Sequence, residues 1–538
     1  MSPEVAPSAP VDTLPPEVLM VIFSDLQDVL EWTGPPSMHK LGHVVHLQSR
    51  TWLRISWVCR YWRAVSLASP RLWSTLSDSG HWKSMDWLPA FLERSQQFPL
   101  DVSIWRSGPA NVAIILAELI QHAGRIHALY LWTKSIPLSS LLAPFEDRFP
   151  ILEEIVLRDY MDPQTREAQP LLHLSPVRFP RLRRVFLSQV AVSWNHKDLF
   201  QSLHELVITR CRRVEALPPS TLLRILRQSP EIEILKFDGH IWSEAYVLPQ
   251  SPELSLAHMR QMELRGLPLP LSRFLDQLVL PYSTNVLIDY EIDYHVGDIS
   301  SEVSMILPRQ SAFQALLPNW SSLSVDIGGR SVSFAAKSNY HSRGSLKLTA
   351  FVPPRHTVNL TTMLWDDILD AFSGSPLMDV GINYHSLANI TSDMWATLFT
   401  RVPHLVALAT SAEEEVNYRG DLSLLEALFS VMESQNPSDG EPYGSRLRTL
   451  HLCHFTIDKP FAYAILRLLR FRNANHAPLQ CLVFRDPFCR HEVDSVDLLA
   501  QLKELVRVDV RYSTRGSGAF RYLDETTSFT EQEVLHEQ

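Results

Sequence analysis

One arrangement of apolar positions recurs along most of the chain: apolar-x-x-apolar-x-apolar. It stands at Ile126-Leu129-Leu131, Leu152-Ile155-Leu157, Leu182-Val185-Leu187, Leu203-Leu206-Ile208, Ile232-Leu235-Phe237 and Met259-Met262-Leu264. It returns at Leu377-Val380-Ile382, Leu405-Leu408-Thr410, Leu447-Leu450-Leu452, Leu479-Leu482-Phe484 and Leu505-Val508-Val510. The last two positions alternate, as a short strand with one buried face requires. Between many of them the period changes to helical: Pro219 to Arg227, Thr361 to Phe372, Leu422 to Met432 and Ala462 to Leu469. Strand, turn and helix repeating every roughly 21 to 42 residues is the mark of a solenoid, in which no unit buries its apolar face alone.

Between about 285 and 352 the pattern changes. Val286 to Tyr290, Leu323 to Ile327, Val332 to Phe334 and Ser345 to Val352 alternate as longer strands. Gly328-Gly329 between two of them is a hairpin signal. The reading for this stretch is hairpins with reduced helices. The alternative for the whole array is a non-repetitive α/β domain with several parallel strands.

The first 78 residues read differently. Pro15 and Pro16 suit a first helical turn, where a missing N–H costs nothing. Glu17 there faces the positive end of the helix dipole. Val18, Leu19, Ile22, Phe23 and Leu26 then share a broad apolar face. Trp52, Ile55, Cys59 and Trp62 step by three and four as a second stripe, with Arg50, Arg54, Arg60 and Arg63 off it. Ser69-Pro70 ends that helix and starts a short third one through Leu72, Trp73 and Leu76. Three such helices are too small to bury all these groups, which leaves apolar surface for a partner.

Leu14-Pro15-Pro16-Glu17-Val18-Leu19, Ile22-Phe23, Val58-Cys59-Arg60-Tyr61-Trp62-Arg63 and Ser69-Pro70-Arg71-Leu72-Trp73 together resemble the F-box in its fungal form. That resemblance implies docking on the Skp-type adaptor of a cullin–RING ubiquitin ligase. The adaptor-binding set it implies is Leu14, Pro15, Pro16, Glu17, Leu19, Ile22, Phe23, Val58, Cys59, Trp62, Arg63, Leu72 and Trp73. One departure is an insertion from Gln27 to Thr51, which carries the helix-breaking Gly34-Pro35-Pro36. The later units resemble irregular leucine-rich repeats. The best match is Leu203-x-x-Leu206-x-Ile208-x-x-Cys211-x-x-Val214, where Cys211 takes the turn position that family fills with Asn or Cys.

The expected architecture is therefore α/β: an N-terminal three-helix F-box-like module and an irregular leucine-rich-repeat-like solenoid. The boundaries are a disordered 1–11, the module over 12–78 with its insertion at about 27–51, the repeats over 79–525, and a polar tail over 526–538. Phe529 to Leu535 has the pattern of a final helical turn.

Composition narrows the function. With 538 residues, 45% apolar and 20% charged, the chain has the make-up of a folded soluble protein. A formal net charge of −10 with scattered arginines argues against nucleic-acid binding. Five cysteines (Cys59, Cys211, Cys453, Cys481, Cys489) form no CxxC pair, which suits a reducing compartment. Met1 to Pro10 has no signal-peptide pattern, and no apolar run approaches the roughly 20 residues that span a bilayer. Cytoplasm and/or nucleus is the expected location, with no membrane partner.

Catalytic and metal chemistry finds little support. His39, His43 and His46 lie at i, i+4 and i+7, but no carboxylate or cysteine completes a site and a solvated loop is the plainer reading. Alternation puts His451 and Cys453 on one strand face and His454 on the other. Cys481, Cys489 and His491 are irregularly spaced. Gly516-Ser517-Gly518 lacks nucleophile-elbow spacing, and there is no phosphate loop. Glu413-Glu414-Glu415 reads as solvated. Of the 14 tryptophans, Trp52, Trp62 and Trp73 belong to the module, while Trp132, Trp194 and Trp242 lie after or between repeat strands. Buried they are core, and exposed they would be anchors. The expectation is a substrate-recognition adaptor of an SCF-type ligase: not an enzyme, with no cofactor or metal, bound to a Skp-type adaptor and through it a cullin, and to an unknown protein substrate. The alternatives are a repeat scaffold without a dedicated substrate, and a solenoid enzyme.

Overall fold

The structure is a computed structural model. It describes residues 14–30, 51–78, 85–105, 109–133, 138–145, 149–159, 171–190, 192–194, 200, 202–209, 217–238, 242, 253–291, 311–314, 316–327, 331–338, 344–351, 365–384, 390–412, 422–434, 442–485, 487–489 and 493–511. The chain divides into two compact units, Met1–Ile232 and Glu233–Gln538.

The first unit begins with helices α1 (Pro16–Leu30) and α2 (Arg60–Leu67) and the 3-10 turns Thr51–Trp57 and Pro70–Trp73. Six strands follow: β1 (Thr75–Asp78), β2 (Leu100–Trp105), β3 (Ile126–Thr133), β4 (Glu154–Asp159), β5 (Arg184–Ser188) and β6 (Glu205–Thr209). Each pairs with the next in parallel. A parallel neighbour requires the chain to return across the sheet. Helices Trp87–Arg94, Pro109–Leu119 and Leu138–Leu142 lie in three of these returns. The register lines up the recurring apolar positions. Val102, Leu129, Ile155, Val185 and Leu206 form one row, and Ile104, Leu131, Leu157, Leu187 and Ile208 the next. All ten are buried.

A backbone device repeats with the sequence motif. The residue after the first apolar position offers its carbonyl to the start of the next unit. The Glu153 carbonyl accepts from the N–H groups of Arg183 and Arg184, and the Arg183 carbonyl from those of His204 and Glu205. In the second unit the Met378 carbonyl accepts from Val406 and Ala407, Val406 from Arg448 and Thr449, and Arg448 from Gln480 and Cys481. The bonds pair backbone groups that the turn would otherwise leave buried and unmet.

The second unit contains β7 (Ile234–Asp238), β8 (Leu254–Ser255), β9 (Gln261–Gly266), β10 (Leu278–Val279), β11 (Asn285–Glu291), β12 (Ser322–Ile327), β13 (Ser331–Lys337), β14 (Leu346–Phe351), β15 (Asp379–Tyr384), β16 (Ala407–Ala412), β17 (Thr449–Cys453), β18 (Thr456–Ile457), β19 (Cys481–Arg485), β20 (Phe488–Cys489) and β21 (Arg507–Arg511). The main sheet runs β7-β9-β11-β14-β13-β12-β15-β16-β17-β19-β21. Only β13 is antiparallel to its neighbours. The alternating segments of the middle thus form a three-strand meander inside a parallel sheet, as the hairpin reading anticipated. Its Gly328-Gly329 turn lies outside the described residues.

Helices Ser392–Arg401, Leu422–Met432, Lys459–Ala474 and Ser495–Leu505 pack in succession along the second unit. Their starts are chemically specified. Thr391, Asp458 and Asp494 each accept a hydrogen bond from a first-turn N–H. Helix Lys459–Ala474 is longer than its apolar period suggested because Asp458 caps it and Pro460 occupies its first turn. Both units are α/β, with mostly parallel sheet and intervening helices, an arrangement compatible with a solenoid-like repeat fold.

Candidate docking surface

The first helices form a small core with a second apolar surface outside it. Leu19 and Phe23 of α1 are fully buried, and so are Trp52, Ile55, Leu72 and Trp73. Phe23 packs on Trp62 at 5.0 Å, and Trp52 meets Trp73 edge-on at 5.2 Å. Phe91 of helix Trp87–Arg94 joins at 4.9 Å from Trp73, and Arg94 lies over the Trp73 ring at 4.3 Å. The Trp73 indole N–H donates to the Ser66 carbonyl at 2.8 Å. The aromatic core therefore continues past residue 78 into the first helix of the strand array.

Four expectations need correction. The apolar positions of α1 do not share one face: Leu19, Phe23 and Gln27 point inward, while Val18, Val21, Ile22 and Leu26 are exposed. Gln27 belongs to the core, not to the insertion, because its amide donates to the Leu72 carbonyl at 3.2 Å. The second stripe is not one helix. Cys59 is extended (φ −154°, ψ 171°) and its sulfur accepts the Trp62 N–H, so α2 starts anew after a 3-10 turn. The third element is a single 3-10 turn, and Leu76 lies in β1.

The sequence-implied adaptor set divides accordingly. Leu19, Phe23, Leu72 and Trp73 are buried and serve to hold the module, where a partner cannot touch them. Leu14, Cys59 and Trp62 are half-buried, and the Leu14 carbonyl accepts the Tyr61 hydroxyl at 2.7 Å. Pro15, Pro16, Glu17, Ile22, Val58 and Arg63 are exposed. Trp57, 74% exposed, was not in the set, nor were Val21 and Leu26. Nothing in the periodicity marks Trp57, since its exposure depends on the chain leaving the helical path at Val58. Of fourteen large apolar side chains exposed among the described residues, six (Val18, Val21, Ile22, Leu26, Trp57 and Val58) lie in this module. Single exposed apolar groups are ordinary, and six among the first helices and turns stand out from that background.

Several charged groups interact between neighbouring strands. In the first unit Tyr130 donates to Glu154 at 2.8 Å, beside Arg184 at 3.3 Å, and Arg158 lies over Trp132. In the second, Lys236 meets Glu263 at 3.0 Å and Arg265 meets Glu291 at 2.8 Å. No group of three metal-ligating side chains occurs among the described residues. His39, His43, His46, Cys211, Glu413 to Glu415, His491 and Gly516 to Gly518 lie outside them. Among the same residues no helix is long and apolar enough to cross a membrane. Trp194 and Trp242 are buried, so neither is an anchor.

Burial, helped by Arg485 and Arg511, holds the His451 imidazole down to about 4. An unfolded histidine near 6.5 binds protons that the folded one refuses. Stability is thus expected to fall as pH drops from 6.5 towards 4. Thermal melts of His451→Gln should lose that part of the acid slope, and an unchanged slope would contradict the burial. Asp379 acts oppositely: burial lifts its carboxyl to about 6, so its contribution is lost as pH rises from 3.8 to 6.

No protein-family model matches the chain, and no curated protein matches it. Among solved structures, the crystal structure of the Rad7 and Elc1 complex in yeast matches over 75% of this chain and 91% of that chain, at 13% identity and a TM-score of 0.29. At that score the likeness says nothing about function.

Proposed function

We propose that the chain is a substrate-recognition adaptor of an SCF-type ubiquitin ligase. Its N-terminal F-box-like module docks on a Skp-type adaptor, and through it a cullin. The strand-and-helix array offers a surface to a protein substrate. The chain positions and does not catalyse, in the cytoplasm or nucleus. The observation that carries this reading is the pairing of a packed aromatic core with six exposed apolar groups on the helices whose sequence resembles an F-box. A merely structural helical cap would have little use for Trp57 and Val58 in water. Covering an exposed Val or Ile fully contributes about 1.5–3 kcal/mol, and a few such anchors dominate an interface.

Ile22→Asp and Val58→Asp place carboxylates on this surface without touching the core. Titration of the full chain with purified Skp-type adaptor should show each weakening affinity at least about tenfold, or 1.4 kcal/mol, with melting temperature unchanged. Full affinity in both variants would remove these residues from the interface.

A further inference from the structure

We infer that Tyr61 is a positioning residue for the docking surface proposed above. Its hydroxyl holds the start of α1 against the start of α2, so that two separate groups of exposed apolar side chains are offered to a partner as one surface. The inference rests on the adaptor reading and adds to it a residue that the F-box resemblance does not mark. Val18, Val21, Ile22 and Leu26 are exposed on α1, whereas Trp57 and Val58 are exposed in a different stretch, where the chain breaks before α2. Two such groups act together only when the fold fixes their spacing before the partner arrives.

The ties along α1 supply that spacing. Near its end the Gln27 amide donates to the Leu72 carbonyl, and at its middle Phe23 packs on Trp62. At its start the Tyr61 hydroxyl donates to the Leu14 carbonyl at 2.7 Å, across 47 positions of sequence. Val18 lies about one helical turn past Leu14, and Tyr61 follows closely on Val58. The bond therefore joins the near ends of the two exposed groups.

The prolines make this single bond effective. Pro15 and Pro16 each fix their own φ, and neither has an N–H to give. A proline also biases the residue before it to extended backbone. Leu14, Pro15 and Pro16 thus form a stiff arm, and fixing its end fixes the direction in which α1 leaves. The Pro15 carbonyl accepts the N–H groups of Val18 and Leu19 at 3.1 Å each. The Leu14 carbonyl stands outside that first turn, on a half-buried residue, and the Tyr61 hydroxyl meets it. The base of the tie is firm too. The Cys59 sulfur accepts the Trp62 N–H at 3.4 Å, and the Cys59 carbonyl accepts that of Arg63 at 3.0 Å.

Tyr61→Phe removes the hydroxyl and keeps the ring. Hydrogen exchange on the full chain without adaptor should show the Val18 and Leu19 amides exchanging about fivefold faster in the variant, the effect of one net hydrogen bond. The Val65 amide, within α2, should be unchanged. Titration with purified Skp-type adaptor should show binding weakened about fivefold, because only the fraction of chains with α1 in place is competent to bind. In a chain carrying Val18→Ser and Ile22→Ser, the same substitution should cost less than about twofold, since the groups nearest the tie are then gone. Unchanged exchange at Val18 and Leu19 overturns the proposal. An equal affinity loss in both backgrounds also overturns it, since Tyr61 is then a contact or a general stabiliser. If the parent chain binds no adaptor, the adaptor reading fails, and the exchange result alone decides whether Tyr61 positions α1.

Discussion

Leu206→Asp is expected to leave the strands of the first unit unfolded. Leu206 is fully buried, in register beside Val185 of β5. Losing such a side chain from a packed core costs about 2–5 kcal/mol, and burying an unpaired carboxylate adds several more. The total approaches the whole stability of an ordinary domain, about 5–15 kcal/mol. The loss also spreads, because Glu205 takes its backbone bond from the Arg183 carbonyl and Arg184 takes its own from Glu153. Amides of β4, β5 and β6 should lose exchange protection together, as neighbouring repeats do. Protection lost in β6 alone would mean that the units do not pass stability between them.

Arg472→Ala is expected to be nearly as damaging in the second unit. Arg472 is completely buried in helix Lys459–Ala474. Its guanidinium donates to the carbonyls of Gly444 at 3.0 Å and Leu447 at 2.7 Å, and reaches Ser445 at 3.4 Å. It thereby fixes the turn that delivers Leu447 and Leu450 to the sheet. Gly444 sits at φ +71°, a conformation that resists most side chains. Removing the guanidinium leaves buried carbonyls unmet at about 1–3 kcal/mol each and opens a cavity besides. A loss of at least about 3 kcal/mol in denaturant unfolding is expected, with Arg472→Lys intermediate. Burial pulls the Arg472 pKa down to about 10, so the group stays charged at neutral pH. An unchanged midpoint for Arg472→Ala would show that water replaces these bonds without cost.

The repeat array was legible because its motif encodes two physical facts at once. The two-residue spacer between the first and second apolar positions holds the carbonyl that starts the next unit, and the alternation that follows sets the register. Strand β2 escaped because Leu100, Val102 and Ile104 alternate without that spacer. Arg472 was invisible for a different reason: one arginine on an amphipathic helix looks like a solvated position until its carbonyl partners fold around it. The reversal of β13 was hinted at only by Gly328-Gly329.

The first helices were legible in outline and misread in detail. Five apolar residues in two turns of α1 read as one broad face, yet Leu19 and Phe23 go to the core and Val18, Ile22 and Leu26 to solvent. Trp52, Ile55, Cys59 and Trp62 keep helical spacing across a break, because a 3-10 turn followed by a helix preserves it well enough. The difference matters for function, since the break is what leaves Trp57 and Val58 outside.

The most direct test of the adaptor reading is co-expression of the full chain with a Skp-type adaptor, followed by size-exclusion chromatography with mass measurement. The account predicts a stable complex of one chain with one adaptor, which takes up the cullin N-terminal region when that is added and dissociates when Ile22→Asp and Val58→Asp are combined. A folded chain that elutes free of the adaptor at micromolar concentrations would contradict it.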